Sequence, residues 1–337
     1  MQMIRRTAPA VLLFFLAPII AEYLLGDLTL AQFSAMFALA PLYGGGSILI
    51  REFVRRVQGG MPTFVMLALA YGVFEEGLLT QSLFNPDYLH LHLLNFGFIP
   101  VLGTALPWAI NVLGVHLGWS LAVPIGLAEA SVPKRSTQPW LKLPGLIVAA
   151  LLFAAGSAMV ARFSLAQSPF RASTLQLGTS AMLVLALLAG AFMVAPGKSE
   201  SRALATASPW LLGSATLICG SVFLVAGMFG PRYLPWAASA AAQIAPVLLL
   251  IGFFRWLPKR YRIDPLAAWG AAAGGMLCYA WHGYLVDRTL HGPGHTIGHT
   301  TFVLAALLLA SWSGFHAWRA RNSSGAAAAS AGEAALA

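Results

Sequence analysis

Apolar residues fall into ten runs separated by charge, proline or glycine, over about 8–25, 35–50, 62–84, 106–128, 143–163, 174–195, 208–229, 236–257, 266–286 and 298–318. A hydrocarbon core about 30 Å thick takes about 20 residues of helix, so each run predicts one transmembrane helix. The fold expected is an all-α, polytopic transmembrane bundle of about ten helices. Every connection is shorter than about 25 residues, below the size of a compact soluble domain. Residues 1–321 therefore read as one membrane domain. The remaining 322–337, mostly Ala, Ser and Gly with Glu333, reads as a disordered tail.

Composition agrees: 58% of residues are hydrophobic and 9% charged, and the mean hydropathy is +0.75, too apolar for water to be the main solvent. Basic residues give the orientation, because loops rich in Lys and Arg stay in the cytoplasm. With the N-terminus inside, all but Arg162, Arg171, Arg232 and Arg288 of the twenty Lys and Arg residues fall on the cytoplasmic side. Both termini are thus expected in the cytoplasm, and the chain in the cell (plasma or inner) membrane. The opening Arg5–Arg6 before an apolar run mimics a signal peptide, but no small-residue cleavage site follows, so it reads as helix one.

The formal charge of +9 is spread over six cytoplasmic segments, which argues against a nucleic-acid face. The lipid bilayer is the partner it implies, with anionic headgroups drawn to the cluster Arg255–Arg262. Two cysteines, Cys219 and Cys278, both inside apolar runs, offer no disulfide framework or CxxC metal site. Ten spans invite a five-plus-five inverted repeat, as in many transporters. The halves do not match: Pro18 has no counterpart in 174–195, and the Glu pair of the third run has none in the eighth.

Candidate chemistry starts with Glu75 and Glu76, the acidic residues well inside an apolar run. A charge at bilayer depth costs several kcal/mol, so an adjacent Glu pair without Lys or Arg calls for a polar cavity or a shared proton. Gly72, one turn before Glu76, lets a neighbour approach that face. His116, with Ser120 one turn on, lies about 15 Å from the outer end of the fourth run, and Glu75 lies about 15 Å from the outer end of the third. Matching depth in consecutive helices predicts a single site.

A third group, His282, Asp287, His291, His295 and His299, gathers near the outer ends of the last two runs. His295 and His299, four apart, have the spacing of paired zinc ligands, with His116, His282 or a Glu as third ligand; interfacial hydrogen bonding or a proton path is the other reading. His90 and His92 lie in the outside loop 84–105. There Asn85, Pro86 and Asp87 look like a helix start, predicting an interfacial helix that covers the site. On a helix, His90 and His92 point about 200° apart and cannot share a ligand. The triplet Gly44–Gly46 and the Gly270/Gly274 spacing read as close helix packing.

An adjacent Glu pair in one membrane helix, a His in the next and further His residues in later ones resemble the glutamate-type intramembrane protease superfamily. This is the CAAX protease and bacteriocin-processing group with its PrsW-like relatives. The matching residues are Glu75, Glu76 and His116, over about 60 residues. The resemblance implies that the carboxylates activate water while histidines stabilise the oxyanion. Gln81 stands where that group has a basic residue, and its last motif, a His followed four residues later by Asn or Asp, meets Val286 after His282 and Val303 after His299.

The function expected is a membrane-embedded hydrolase acting on a membrane-tethered or lipid-soluble substrate. Glu75 or Glu76 is the base, His116 stabilises, and His282 or His299 completes the site. A zinc variant uses His295 and His299. The alternative from another class is a proton-coupled transporter or channel that uses the Glu pair.

Overall fold

In the computed structural model, which describes residues 2–194, 205–292 and 296–336 (side chains over 7–194, 205–292 and 296–323), the apolar runs fold as helices. They are α1 (Thr7–Leu24), α2 (Leu30–Arg56), α3 (Met61–Leu79), α4 (Leu106–Ser131), α5 (Leu143–Gln167), α6 (Thr174–Met193), α7 (Pro209–Tyr233) and α8 (Trp236–Lys259), then α9 (Pro265–His291) and α10 (Thr296–Leu336). Among the described residues nine helices are long and apolar enough to cross a membrane. The tenth expected span, α9, falls short on composition. It has the length, 27 residues, but it is rich in Gly and Ala and carries polar groups that face protein, with Tyr279, His282 and Asp287 buried. Helical backbone in α10 continues to Leu336, across the stretch whose composition suggested disorder.

The helices divide by what covers them. In α1 to α4, 50–61% of the apolar window is buried, against 11–28% in α5 to α8. The first four therefore form the centre, and the next four present Leu, Phe and Val to lipid, which solvates them as well as protein does. Against that centre, α5 packs on α2 and α6 on α3, while α7 and α8 pack on each other and on α9 and α4. Leu13, Leu42, Leu67, Leu121 and their neighbours fill the space among α1 to α5. Leu16, Trp119, Phe223, Met276 and Tyr279 fill that among α1, α4, α7, α9 and α10. Close backbone approach, expected from the glycines, is present: Gly44 lies against the backbone of Phe14, and Gly270 and Gly274 lie against α7.

At the basic face, Arg51 is buried rather than a loop charge. Its guanidinium stacks 3.4 Å over Trp140, pairs with Glu52 at 2.8 Å and Glu129 at 3.0 Å, and donates to the carbonyls of Ser136 and Gln138. Each guanidinium nitrogen meets an acceptor, which is how a buried charge is tolerated. The result fastens α2 to α4 and to the α4–α5 connection.

The loop 84–105, expected on the outside, differs from expectation in its backbone. Asn85 does start a turn, accepting from the Asp87 amide at 3.0 Å, but the chain does not continue as a helix. Leu89, His90 and His92 take left-handed φ of 50°, 60° and 51°, and a two-stranded hairpin follows, β1 (Phe98–Ile99) with β2 (Thr104–Ala105). The changed backbone also changes the histidines. His90 and His92 both reach Asp87, at 2.9 and 3.3 Å, a sharing that a helix would have forbidden.

Candidate active site

Four helical stretches widen locally into π-turns: Ile19–Leu24, Ala40–Gly44, Phe74–Leu79 and His116–Ala122. Such bulges re-aim side chains and gather at functional sites. Here they carry Glu22, Tyr43, the pair Glu75–Glu76, and His116, and these side chains converge at one place in the centre of α1 to α4. Proline contributes. Pro124 has no N–H to give the Ser120 carbonyl, four residues back, and the Ser47 hydroxyl donates there instead at 3.2 Å. Pro18 and Pro41 stand at the entrance to the first two π-turns.

Glu75, Glu76 and His116 are all buried, and His116 Nε2 lies 2.8 Å from Glu76 Oε1. The other Glu76 oxygen accepts from Thr80 Oγ1 at 2.9 Å and from Ser82 Oγ. Glu76 is thus fully engaged. With Nε2–H given to Glu76, His116 Nδ1 faces Ser120 Oγ at 3.1 Å and Glu75 Oε2 at 3.7 Å. Glu75 is held from one side only: Tyr43 donates to Oε1 at 2.6 Å, while Oε2 has no hydrogen-bond partner. The buried Tyr71 hydroxyl is likewise unpartnered, and it lies within electrostatic reach of Glu75. Unsatisfied buried polar atoms are few in native proteins, and two within electrostatic reach of each other mark a place where chemistry can occur.

Glu22, Asp27, Tyr43 and Tyr71 lie outside the expected set. Glu22 lies within electrostatic reach of Tyr43, His116 and Glu76, and Asp27 within reach of Glu22 and Glu76. Glu22 stands near the end of the first apolar run, 8–25, and was not singled out; the signal available was Pro18, which stands at the start of the π-turn that carries it. Tyr43, beside Pro41 and before the glycine triplet, carried no charge to flag it. Tyr88 of the 84–105 loop lies within electrostatic reach of Glu76, Glu22, Glu75 and Asp27, so this loop, built of turns and a hairpin, comes near the site.

The later histidines do not join this group. Among the described residues His282, buried beside Trp281, has both ring nitrogens unpaired and no ionisable group acting on it. His299 sits against Tyr284 and responds to Asp287, while His291 bonds the Asp27 carbonyl at 3.0 Å. His295 lies outside the described residues, and with it the pair expected to hold zinc. Among the described residues, the metal-sized set is Glu75, Glu76 and His116, whose ligand atoms lie within 4.8 Å of one another. Both His116 nitrogens and both Glu76 oxygens are already committed to protein partners, which leaves Glu75 Oε2 alone with nothing bound. Such a donor set fits a hydrogen-bonded acid–base group better than the closed ligand shell of a zinc ion.

No curated protein and no solved structure matches the chain. A family model does, over residues 11–310, and a match of that extent shows that the chain belongs to an uncharacterized membrane protein family.

Proposed function

We propose that this protein is a membrane-embedded hydrolase of the glutamate type, acting on a membrane-tethered or lipid-soluble substrate, with intramembrane proteolysis the leading activity. The observation that carries the reading is the inequality of the two glutamates. Glu76, with three donors on its carboxylate, is the anchor that fixes the His116 ring. Glu75, with Oε2 unpaired and 3.7 Å from His116 Nδ1, is the base. A water held between Glu75 Oε2 and the substrate carbonyl gives its proton to Glu75 as its oxygen adds to the carbonyl carbon; the Tyr71 hydroxyl donates to the oxyanion, His116 orients the glutamates, and Glu75 returns the proton to the leaving group as the scissile bond breaks. Preorganised donors in a water-poor cavity are the largest single source of rate in such chemistry. Burial of the group among α1 to α4 supplies the dry surroundings, and the 84–105 loop covers its outer side.

The test compares wild type with Glu75→Gln after incubation with native membranes. New protein termini or released lipid fragments that appear with wild type and not with the variant are expected. If no covalent product forms with wild type, the hydrolase reading fails.

A second reading is favoured by one observation: Asp27, Glu22, Tyr43 and Glu75 form an acidic succession leading from the end of α1 to the centre. Intramembrane carboxylates in series commonly carry protons in coupled transport. That reading predicts pH-driven solute uptake in proteoliposomes, abolished by Glu75→Gln, with no substrate altered.

A further inference from the structure

On the face of α4 turned away from the glutamates lies a cleft of about 480 Å³, between α3 and α4 on one side and α7, α8 and α9 on the other. Along α4 its wall runs from Gly114 to Gly126, roughly 18 Å at 1.5 Å per residue, comparable to half of a hydrocarbon core about 30 Å thick. One leaflet's acyl chain has that reach. The deep end, at Gly114 and Phe223, is apolar, and so are the walls formed by Phe64, Leu117, Val247 and Leu250. Gly118 leaves the space open, since a Cβ built there would meet nothing within 4 Å.

The other end is cationic. Arg51 and Arg55 line it, and the three guanidiniums of Arg51, Arg55 and Arg56 meet two carboxylates, Glu52 and Glu129, leaving a positive surplus. Across the opening, Pro258 belongs to the wall, with exposed Arg255 and Lys259 on either side of it. Water is a poor occupant of an apolar space of this size, which offers too few polar partners. An amphiphile matches it at both ends, hydrocarbon against the deep walls and negative charge at the basic face.

We infer that the cleft binds one acyl chain of an anionic phospholipid from the leaflet on the basic face, with the phosphate beside Arg55. This lipid site is separate from the glutamate site and stands whether or not the hydrolase reading does. It is tested by native mass spectrometry of the full chain in detergent, delipidated and then given phosphatidylglycerol or phosphatidylcholine with the same acyl chains. Wild type retains one phosphatidylglycerol per chain, with about fivefold preference over phosphatidylcholine from the basic rim. Gly118→Leu and Ala122→Phe fill the cleft from the same wall and lose that adduct while keeping the elution volume and melting temperature of a folded protein. Retention of the lipid by both folded variants overturns the inference. So does equal retention of the two headgroups, or a bound species that proves to be peptide.

Discussion

Glu76 and His116 meet at 2.8 Å between adjacent helices, and the same carboxylate also receives Thr80 and Ser82. One glutamate therefore sets both the orientation of the histidine and the end of α3. Its neighbour Glu75 has one side bound and one side open. This asymmetry separates what the two residues contribute.

Replacing each glutamate by glutamine should expose the difference. Glu75→Gln keeps size and the Tyr43 contact, so unfolding in detergent changes little while product formation falls by about 10²–10⁴, the range for loss of a general base. Glu76→Gln turns one oxygen into a donor that cannot accept from both hydroxyls and His116. Leaving a buried donor unsatisfied costs about 1–3 kcal/mol, so this variant loses stability as well as activity. Equal melting temperatures for the two variants would contradict the assignment.

Gly72 makes the meeting of α3 and α4 possible. A Cβ at this position would stand 3.0 Å from Leu113 Cδ2 and 3.4 Å from His116 Cβ. Gly72→Val forces the two helices apart at the level of the histidine. A misplacement of about 1 Å near a reacting group can cost about 10² in rate, so turnover should drop by that order. The variant should remain folded, because a glycine in mid-helix is itself unfavourable by about 1 kcal/mol. Turnover equal to wild type would show that His116 does not need its present position.

Metal removal gives a third check. The committed lone pairs of His116 and Glu76 predict that prolonged dialysis against EDTA and 1,10-phenanthroline leaves both the melting temperature and product formation unchanged. Loss of activity that zinc restores would mean that the hydrogen-bonded arrangement is replaced by a coordinated one.

How much of this could be read from sequence follows from the physics of each feature. The spans were legible because hydrocarbon imposes a length and a composition on every helix. Glu75, Glu76 and His116 were legible because polar groups are costly at that depth, and their heights agreed. Glu22 was not, since its role depends on a π-turn that shifts the register of α1 by a fraction of a turn, and apolar periodicity is too coarse to show this. His282 and His299 were candidates to complete the site beside His116. They differ in which neighbour each faces, a tertiary property that spacing along one helix does not carry. In the 84–105 loop, Asn85-Pro86-Asp87 read as a helix start, but the chain makes a turn there, and left-handed backbone at 89, 90 and 92 keeps it from continuing as the expected helix.

The pair Asp264–Arg321 sets a prediction for pH. Asp264 caps α9, accepting from the Ala267 amide at 2.9 Å, and takes both arms of Arg321 from α10 at 2.6 Å each. Burial pushes its carboxyl up, but hydrogen bonds from Arg321 and Ala267 outweigh that and hold it below the usual carboxylate range. Because the folded carboxyl binds a proton less readily than the unfolded one, its stabilisation is complete above the unfolded value, about 3.9. It is lost as pH falls through the lower, folded value. A half-exposed bidentate pair is worth about 1 kcal/mol, or roughly 2 °C in melting temperature for a chain of this size. Asp264→Asn, which retains a capping oxygen, should therefore melt about 2 °C below wild type between pH 6 and 7, and the gap should close as pH falls below the unfolded value, about 3.9, and through the lower, folded one. A gap that is the same at both ends of this range would show that the charge on Asp264 contributes nothing and that the cap alone holds α9 in place.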